Sequence, residues 1–183
     1  KLQQPLDDFF FSPDYSEVLG ATRGGGDGAA TAQVVNLDVR RKIADLPIAG
    51  MPHLGSGITF MWNGRRVVAG PNLKGGQIDV IDMKTWQPVK TIAVPGPGFF
   101  MRSHENTPYA WTDSMMSPQA KDTLTIVDKR SLEAVASVRA EPGKTLAHIE
   151  FTKDGRYALA SLWEKDGALI VYDAATFKEV KRL

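Results

Sequence analysis

Ala168-Leu169-Ile170-Val171-Tyr172-Asp173 is a short apolar run, β-branched and aromatic, that closes on an aspartate and enters a polar turn. A run of this length bounded by turn residues reads as a buried strand rather than a helix. The same ending occurs three more times, in Val35-Asn36-Leu37-Asp38, Val80-Ile81-Asp82 and Ile126-Val127-Asp128. Counted on Asp38, Asp82, Asp128 and Asp173, the spacings are 44, 46 and 45 residues. A period in the forties made of strand-length segments is the mark of propeller blades. The expected fold class is therefore all-β, a β-propeller with four four-stranded blades.

Working outward from Asp173, each repeat holds the same parts. His148-Ile149-Glu150-Phe151 forms an inner strand and leads to the turn Thr152-Lys153-Asp154-Gly155, where an Asp-Gly pair suits positive φ. Tyr157 to Leu162 is the second strand, Lys165-Asp166-Gly167 a loop, and Phe177-Lys178-Glu179-Val180 the outer strand. In the other repeats Phe11 to Tyr15, Trp62-Asn63-Gly64-Arg65 and His104 to Pro108 fill the first turn. Lys84-Thr85-Trp86, Arg130-Ser131-Leu132 and Ala175-Thr176-Phe177 fill the last. The blades fall at about 6–50, 51–95, 96–142 and 143–183. Four is the low end of the propeller range. The chain opens inside a pattern and stops on an outer strand, so the expectation is half of a larger propeller. Open sheet edges would favour pairing between copies.

The 183 residues suffice for a real core. With 22 basic and 21 acidic side chains, net charge +1, there is no basic stripe for nucleic acid. No segment approaches the roughly 18 apolar residues of a membrane span, and Lys1-Leu2-Gln3-Gln4-Pro5 lacks the apolar core of a signal peptide. The absence of cysteine excludes thiolate catalysis, Cys-ligated zinc, iron–sulfur clusters and covalent c-type heme attachment within these residues.

The chain has three histidines. His53 lies in Gly50-Met51-Pro52-His53-Leu54-Gly55-Ser56-Gly57, where proline stiffens the backbone and glycines permit close approach to a ligand. An imidazole there suits a metal ligand or a general acid/base, and equally a loop histidine that caps a turn. His148 sits on the last inner strand. Strict alternation places it with Leu146 and Glu150 on one side, opposite Ala147, Ile149 and Phe151. That pattern reads as a wet channel wall near Lys144 or as a histidine bonded to the next blade. His104 reads as a turn residue.

Pro95-Gly96-Pro97-Gly98-Phe99-Phe100-Met101-Arg102 fixes its backbone by alternating Pro and Gly, and its aromatics suit a flat apolar ligand. Inter-blade packing accounts for two of Phe99, Phe100 and Met101. Met115-Met116, in a loop, is harder to assign to a core. Arg23, Arg102 and Lys144 are candidates for ligand carboxylates. The run Gly24-Gly25-Gly26-Asp27-Gly28 has no following Lys-Ser/Thr, so it reads as a flexible loop and not a phosphate loop.

Pro52 to Gly57, Pro95 to Asn106 and Ala147 to Tyr157 together resemble the d1-type propellers, the family of cytochrome cd1 nitrite reductase and the proteins of heme d1 biosynthesis. The resemblance implies the C-terminal half of an eight-bladed propeller with heme d1 or dihydro-heme d1 in its central channel. It matches His53 to a distal histidine over the iron. No histidine stands in Leu6-Asp7-Asp8-Phe9-Phe10, where the reductase carries its second, and Ser56 stands where its arginine is expected. The biosynthesis proteins are thus the nearer match.

By that resemblance the activity is a dehydrogenase acting on dihydro-heme d1, oxidising a propionate side chain to an acrylate in the periplasm. His53 and His148 would be its catalytic histidines, with His53 also the metal residue. Arg102, Lys144, Gly55, Gly57, Phe99 and Met116 would hold the tetrapyrrole. A cytochrome c or nitrite reductase is the protein partner this implies, and a homo-oligomer is compatible with it. A carrier of heme d1, a nitrite reductase d1 domain and a generic interaction propeller are the alternatives.

Overall fold

The computed structural model describes residues 5–23 and 32–183, so the glycine run at 24–28 lies outside the described residues. Four antiparallel sheets carry the fold, each with its strands in simple chain order. The first holds β1 (Asp8–Phe11), β2 (Glu17–Ala21), β3 (Ala32–Asn36) and β4 (Arg41–Leu46). The second holds β5 (Ile58–Trp62), β6 (Arg65–Pro71), β7 (Gln77–Asp82) and β8 (Pro88–Ala93). The third holds β9 (Met101–Ser103), β10 (Tyr109–Asp113), β11 (Thr123–Asp128) and β12 (Glu133–Arg139). The fourth holds β13 (Leu146–Phe151), β14 (Tyr157–Leu162), β15 (Ala168–Asp173) and β16 (Glu179–Arg182). Among the described residues the one helical segment is a 3-10 turn, Leu54–Ser56.

The apolar cores lie between sheets. Leu19, Val34 and Leu46 of the first sheet meet Val68, Ile81 and Trp86 of the second. Val67, Ala69, Ile78 and Val80 on the other face of the second sheet meet Met101, Ala110, Val127 and Leu132 of the third. Trp111, Leu124 and Ile126 meet Leu146, Ile149, Ala158 and Ile170 of the fourth. No apolar cluster among the described residues joins the fourth sheet to the first, so the sheets form an open arc, half a propeller. An inner sheet is covered on both faces, which is why β7 and β11 are buried almost throughout, although Asp79, Thr123 and Thr125 interrupt their apolar residues. At the end of the arc β14 alternates buried and half-buried residues instead.

Turn chemistry repeats with the sheets. Asp82 Oδ1 accepts the N–H groups of Lys84 and Thr85 at 2.8 and 3.0 Å, and Asp173 Oδ1 those of Ala175 and Thr176. Asp128 accepts Arg130 N–H at 2.7 Å. In the first sheet this work falls to Asn36, whose Oδ1 accepts from Asp38 and Val39 at 3.1 Å. The repeat is thus Asn36, Asp82, Asp128, Asp173, and counting from Asp38 places the first unit two residues late. An amide oxygen and a carboxylate oxygen accept the same pair of N–H groups, which hides the register from a search for aspartate. Four residues on, Arg40, Trp86, Leu132 and Phe177 all have positive φ. Each outer strand then bulges, so that Ile43, Val89, Val135 and Val180 have no opposite residue. Asn63 and Gly64, both at positive φ, close the two-residue hairpin between β5 and β6.

Candidate functional site

The first strands of neighbouring sheets touch, β5 with β9 and β9 with β13, and so line the axis of the arc. The segments entering them, 47–57, 94–100 and 140–145, leave the same end of the sheets as the loops after β6, β10 and β14. Side chains hold these segments in place. Asn72 Oδ1 accepts Met51 N–H at 3.1 Å and its Nδ2 donates to Ala49 O at 2.8 Å, which fixes the approach to His53. Glu164 Oε1 accepts Thr145 N–H at 2.7 Å beside Lys144.

The third fastening is Asp113, fully buried at the end of β10. Its Oδ1 accepts Phe99 N–H at 2.9 Å and Met115 N–H at 3.1 Å, and its Oδ2 accepts Phe100 N–H at 2.9 Å. Burial pushes its carboxyl above the ordinary value despite these three donors. Gly98 is required here, because a Cβ would lie 2.3 Å from the Asp113 carbonyl oxygen.

The result is a continuous aromatic row. The His53 and Phe99 rings are 4.0 Å apart, Phe99 and Phe100 4.9 Å, and Phe100 stacks on His148 at 4.6 Å and 18°. His53 and His148 are therefore brought to one surface from the second and fourth sheets, but with two phenylalanines between them. Neither imidazole makes a side-chain hydrogen bond among the described residues. Nδ1 of His53 is buried without a partner. His53 precedes the Leu54–Ser56 turn yet gives it no side-chain cap, so turn capping does not explain it.

His148 sits at φ 57°, in a bulge that leaves it out of the β13–β14 ladder. This corrects the strict alternation expected of β13. Leu146 is buried in the core with Ile149, while His148 and Glu150 are exposed together. One extra residue shifts the parity of everything after it, and nothing in the residue types of Leu146-Ala147-His148-Ile149 announces it.

Arg102, on β9, donates from Nε to Glu150 Oε1 at 3.2 Å and from a terminal nitrogen to the Met101 carbonyl at 2.9 Å. It thus bridges the axis-lining strands of two sheets. Phe100 and Met101 pack into cores, leaving Phe99 against His53. Met116 is exposed in the loop after β10, its N–H on Pro97 O at 3.1 Å. Lys144 stands on the rim, paired with Glu141, which holds its ammonium above the ordinary value.

Gly55 and Gly57 have nearer reasons to be glycine than a ligand. A Cβ at Gly55 would lie 2.4 Å from Asp8 Oδ1, and one at Gly57 2.9 Å from Leu54 O. Arg23 lies far from the row in sequence, its N–H on Asp7 Oδ2 at 2.7 Å. His104 belongs to the opposite end of the sheets, where its Nδ1 accepts Asn106 N–H at 3.1 Å and shapes the turn. Asp113 and Asn72 escaped the sequence reading. The available signal was a polar residue near the end of the second strand in two consecutive repeats, Asp113 closing β10 and Asn72 one residue past β6.

Among the described residues no group of three or more His, Asp or Glu side chains could hold a bare metal ion. The donor set fits instead a flat, metal-bearing ligand that brings its own equatorial ligands: an apolar aromatic surface, two unbonded imidazoles and a cation nearby.

The chain is 51% identical to the dihydro-heme d1 dehydrogenase of Pseudomonas aeruginosa over 178 residues, 97% of this chain and 35% of that protein. It superposes on the solved structure of dihydro-heme d1 dehydrogenase NirN in complex with DHE with a TM-score of 0.91, covering 97% of this chain and 37% of that one. The chain thus spans little more than a third of these relatives. Kuenenia stuttgartiensis hydrazine synthase, 16% identical with a TM-score of 0.76 over 48% of its chain, shares the fold alone. The family model described as the cytochrome D1 heme domain matches residues 2–183. With the cores, the arc and the row in view, the conclusion is that this chain belongs to the cytochrome d1 heme domain family.

Proposed function

We propose that this chain is part of a dihydro-heme d1 dehydrogenase, in which the row His53–Phe99–Phe100–His148 receives the tetrapyrrole and a propionate side chain is oxidised to an acrylate. The observation that carries this reading is the pair of imidazoles, unbonded among the described residues, set at the two ends of one aromatic surface. The 51% identity to a named dihydro-heme d1 dehydrogenase supports it.

Making a carbon–carbon double bond from –CH2–CH2– releases two protons and two electrons. His148, exposed and unbonded among the described residues, is placed to accept a proton, a task for which imidazole is the suited side chain. His53 has a different constraint. An iron-ligating imidazole ordinarily anchors its far N–H on an acceptor, and Nδ1 of His53 has none among the described residues. The iron-ligand role expected for His53 is therefore the weaker assignment. A ring that donates a hydrogen bond to the ligand from Nε2 fits better. Arg102 supplies positive charge for the carboxylates once Glu150 yields it. The second proton leaves to water, and the substrate's own iron would offer the two electrons their exit, one at a time, to two equivalents of a one-electron acceptor, for which a periplasmic c-type cytochrome is the class proposed.

The test is a spectral titration of the full-length protein with dihydro-heme d1. Conversion to the heme d1 spectrum with an electron acceptor present is expected. Tight binding with an unchanged spectrum would make it a carrier, and no binding would sink both.

A further inference from the structure

We infer that Asp113 is the positioning residue of this site: one buried carboxylate fixes the Phe99–Phe100 segment, and the Phe100 ring stacked on His148 carries that placement across the boundary between the third and fourth sheets. The inference rests on the reading of the row as the tetrapyrrole surface, and adds the device that holds the row in register.

Three observations support it. First, the three backbone N–H groups that Asp113 accepts come from the two central members of the row and from Met115, and one of those members, Phe100, stacks on His148 of the next sheet at 4.6 Å. Second, the carboxylate is fully buried and has no salt bridge among the described residues. A buried anion balanced by backbone donors alone is costly to keep, and a neutral residue would be the cheaper solution if only packing mattered. Third, the residue that this segment supports is the irregular one. His148 is in the left-handed region at a bulge, where the strand ladder does not hold it. The Phe100 ring, stacked on His148 at 4.6 Å and 18°, is the described link between His148 and the Phe99–Phe100 segment.

Asp113→Asn is the direct probe. It keeps shape and one acceptor oxygen but turns an NH2 toward backbone N–H groups, so at least one grip is lost. In the full-length protein without ligand, amide exchange at Phe99, Phe100 and Met115 is expected to rise by about tenfold or more, with β11 and β14 unchanged. With dihydro-heme d1, kcat is expected to fall by about a hundredfold and KM to move by less than about threefold, as for a misplaced group whose binding surface persists.

In a His148→Gly background the same substitution should cost little further, because its effect runs through His148. Unchanged amide exchange, or an equal loss in kcat with and without His148, would overturn the inference. If the unmodified protein neither binds nor converts dihydro-heme d1, the proposed function fails, and the exchange experiment alone still decides whether Asp113 holds the row.

Discussion

At the scale of single residues, the two imidazoles differ in what holds them. His53 is held by ring packing on Phe99, and by an approach segment that Asn72 fastens. His53→Ala should therefore abolish turnover, a loss of about a hundredfold or more, while the melting temperature stays within a few degrees of the parent. Parallel loss of both would make it a structural histidine. His148 carries a backbone conformation that costs a non-glycine residue about 1–2 kcal/mol. His148→Gly should relieve that strain, keep the fold at least as stable and still lose turnover, with partial rescue by added imidazole. A thermal melt and an activity assay on one sample check it. Both histidines were legible in the sequence as isolated imidazoles near glycine, proline and aromatics. Asp113 was not, because an aspartate ending a strand in Ala110-Trp111-Thr112-Asp113 resembles the repeated turn aspartates, and only coordinates reveal which N–H groups it meets.

Among the elements, the turn after each third strand governs stability against acid. Arg130 bonded to its carboxylate holds Asp128 down at about 2. The N–H of Lys84 lowers Asp82 in the same turn of the second sheet, and just ahead of β11 the N–H of Gly143 lowers Asp122. A carboxylate with a lowered folded pKa contributes stability above its unfolded value of 3.8, and loses it as pH falls through the folded value. Thermal stability should thus hold at neutral pH and decline between about pH 4 and 2. Asp113 acts in the opposite direction, since its raised pKa favours the folded state only while it is protonated. Asp82→Ala should cost about 1–3 kcal/mol in urea denaturation through two lost N–H partners. Asp82→Asn should cost less, because Asn36 already performs that task in the first sheet. The elements were readable for this reason: strand, polar acceptor and turn recur as one unit. The bulges were not, because a bulge adds a residue without changing the kinds of residue around it.

For the whole molecule, the arc leaves the outer faces of its first and last sheets without a neighbour among the described residues. Phe9, Phe11 and Tyr15 are 52, 42 and 71% exposed and in ring contact, with Val180 also exposed on the last strand. These 183 residues alone should self-associate as concentration rises, and Phe11→Glu should shift light scattering toward the monomer. Scattering independent of concentration would show that these faces do not pair. The number of sheets was plain from the spacing of the strand endings, whereas the place of the ligand surface depended on loops whose composition is only permissive. Because each oily seam is shared by two neighbours and owned by neither, a whole unit of about 46 residues can be gained or lost in descent and still find matching surfaces on both sides. Such a change would alter the circumference of the ring and the width of its bore, and with them the size of the guest it admits.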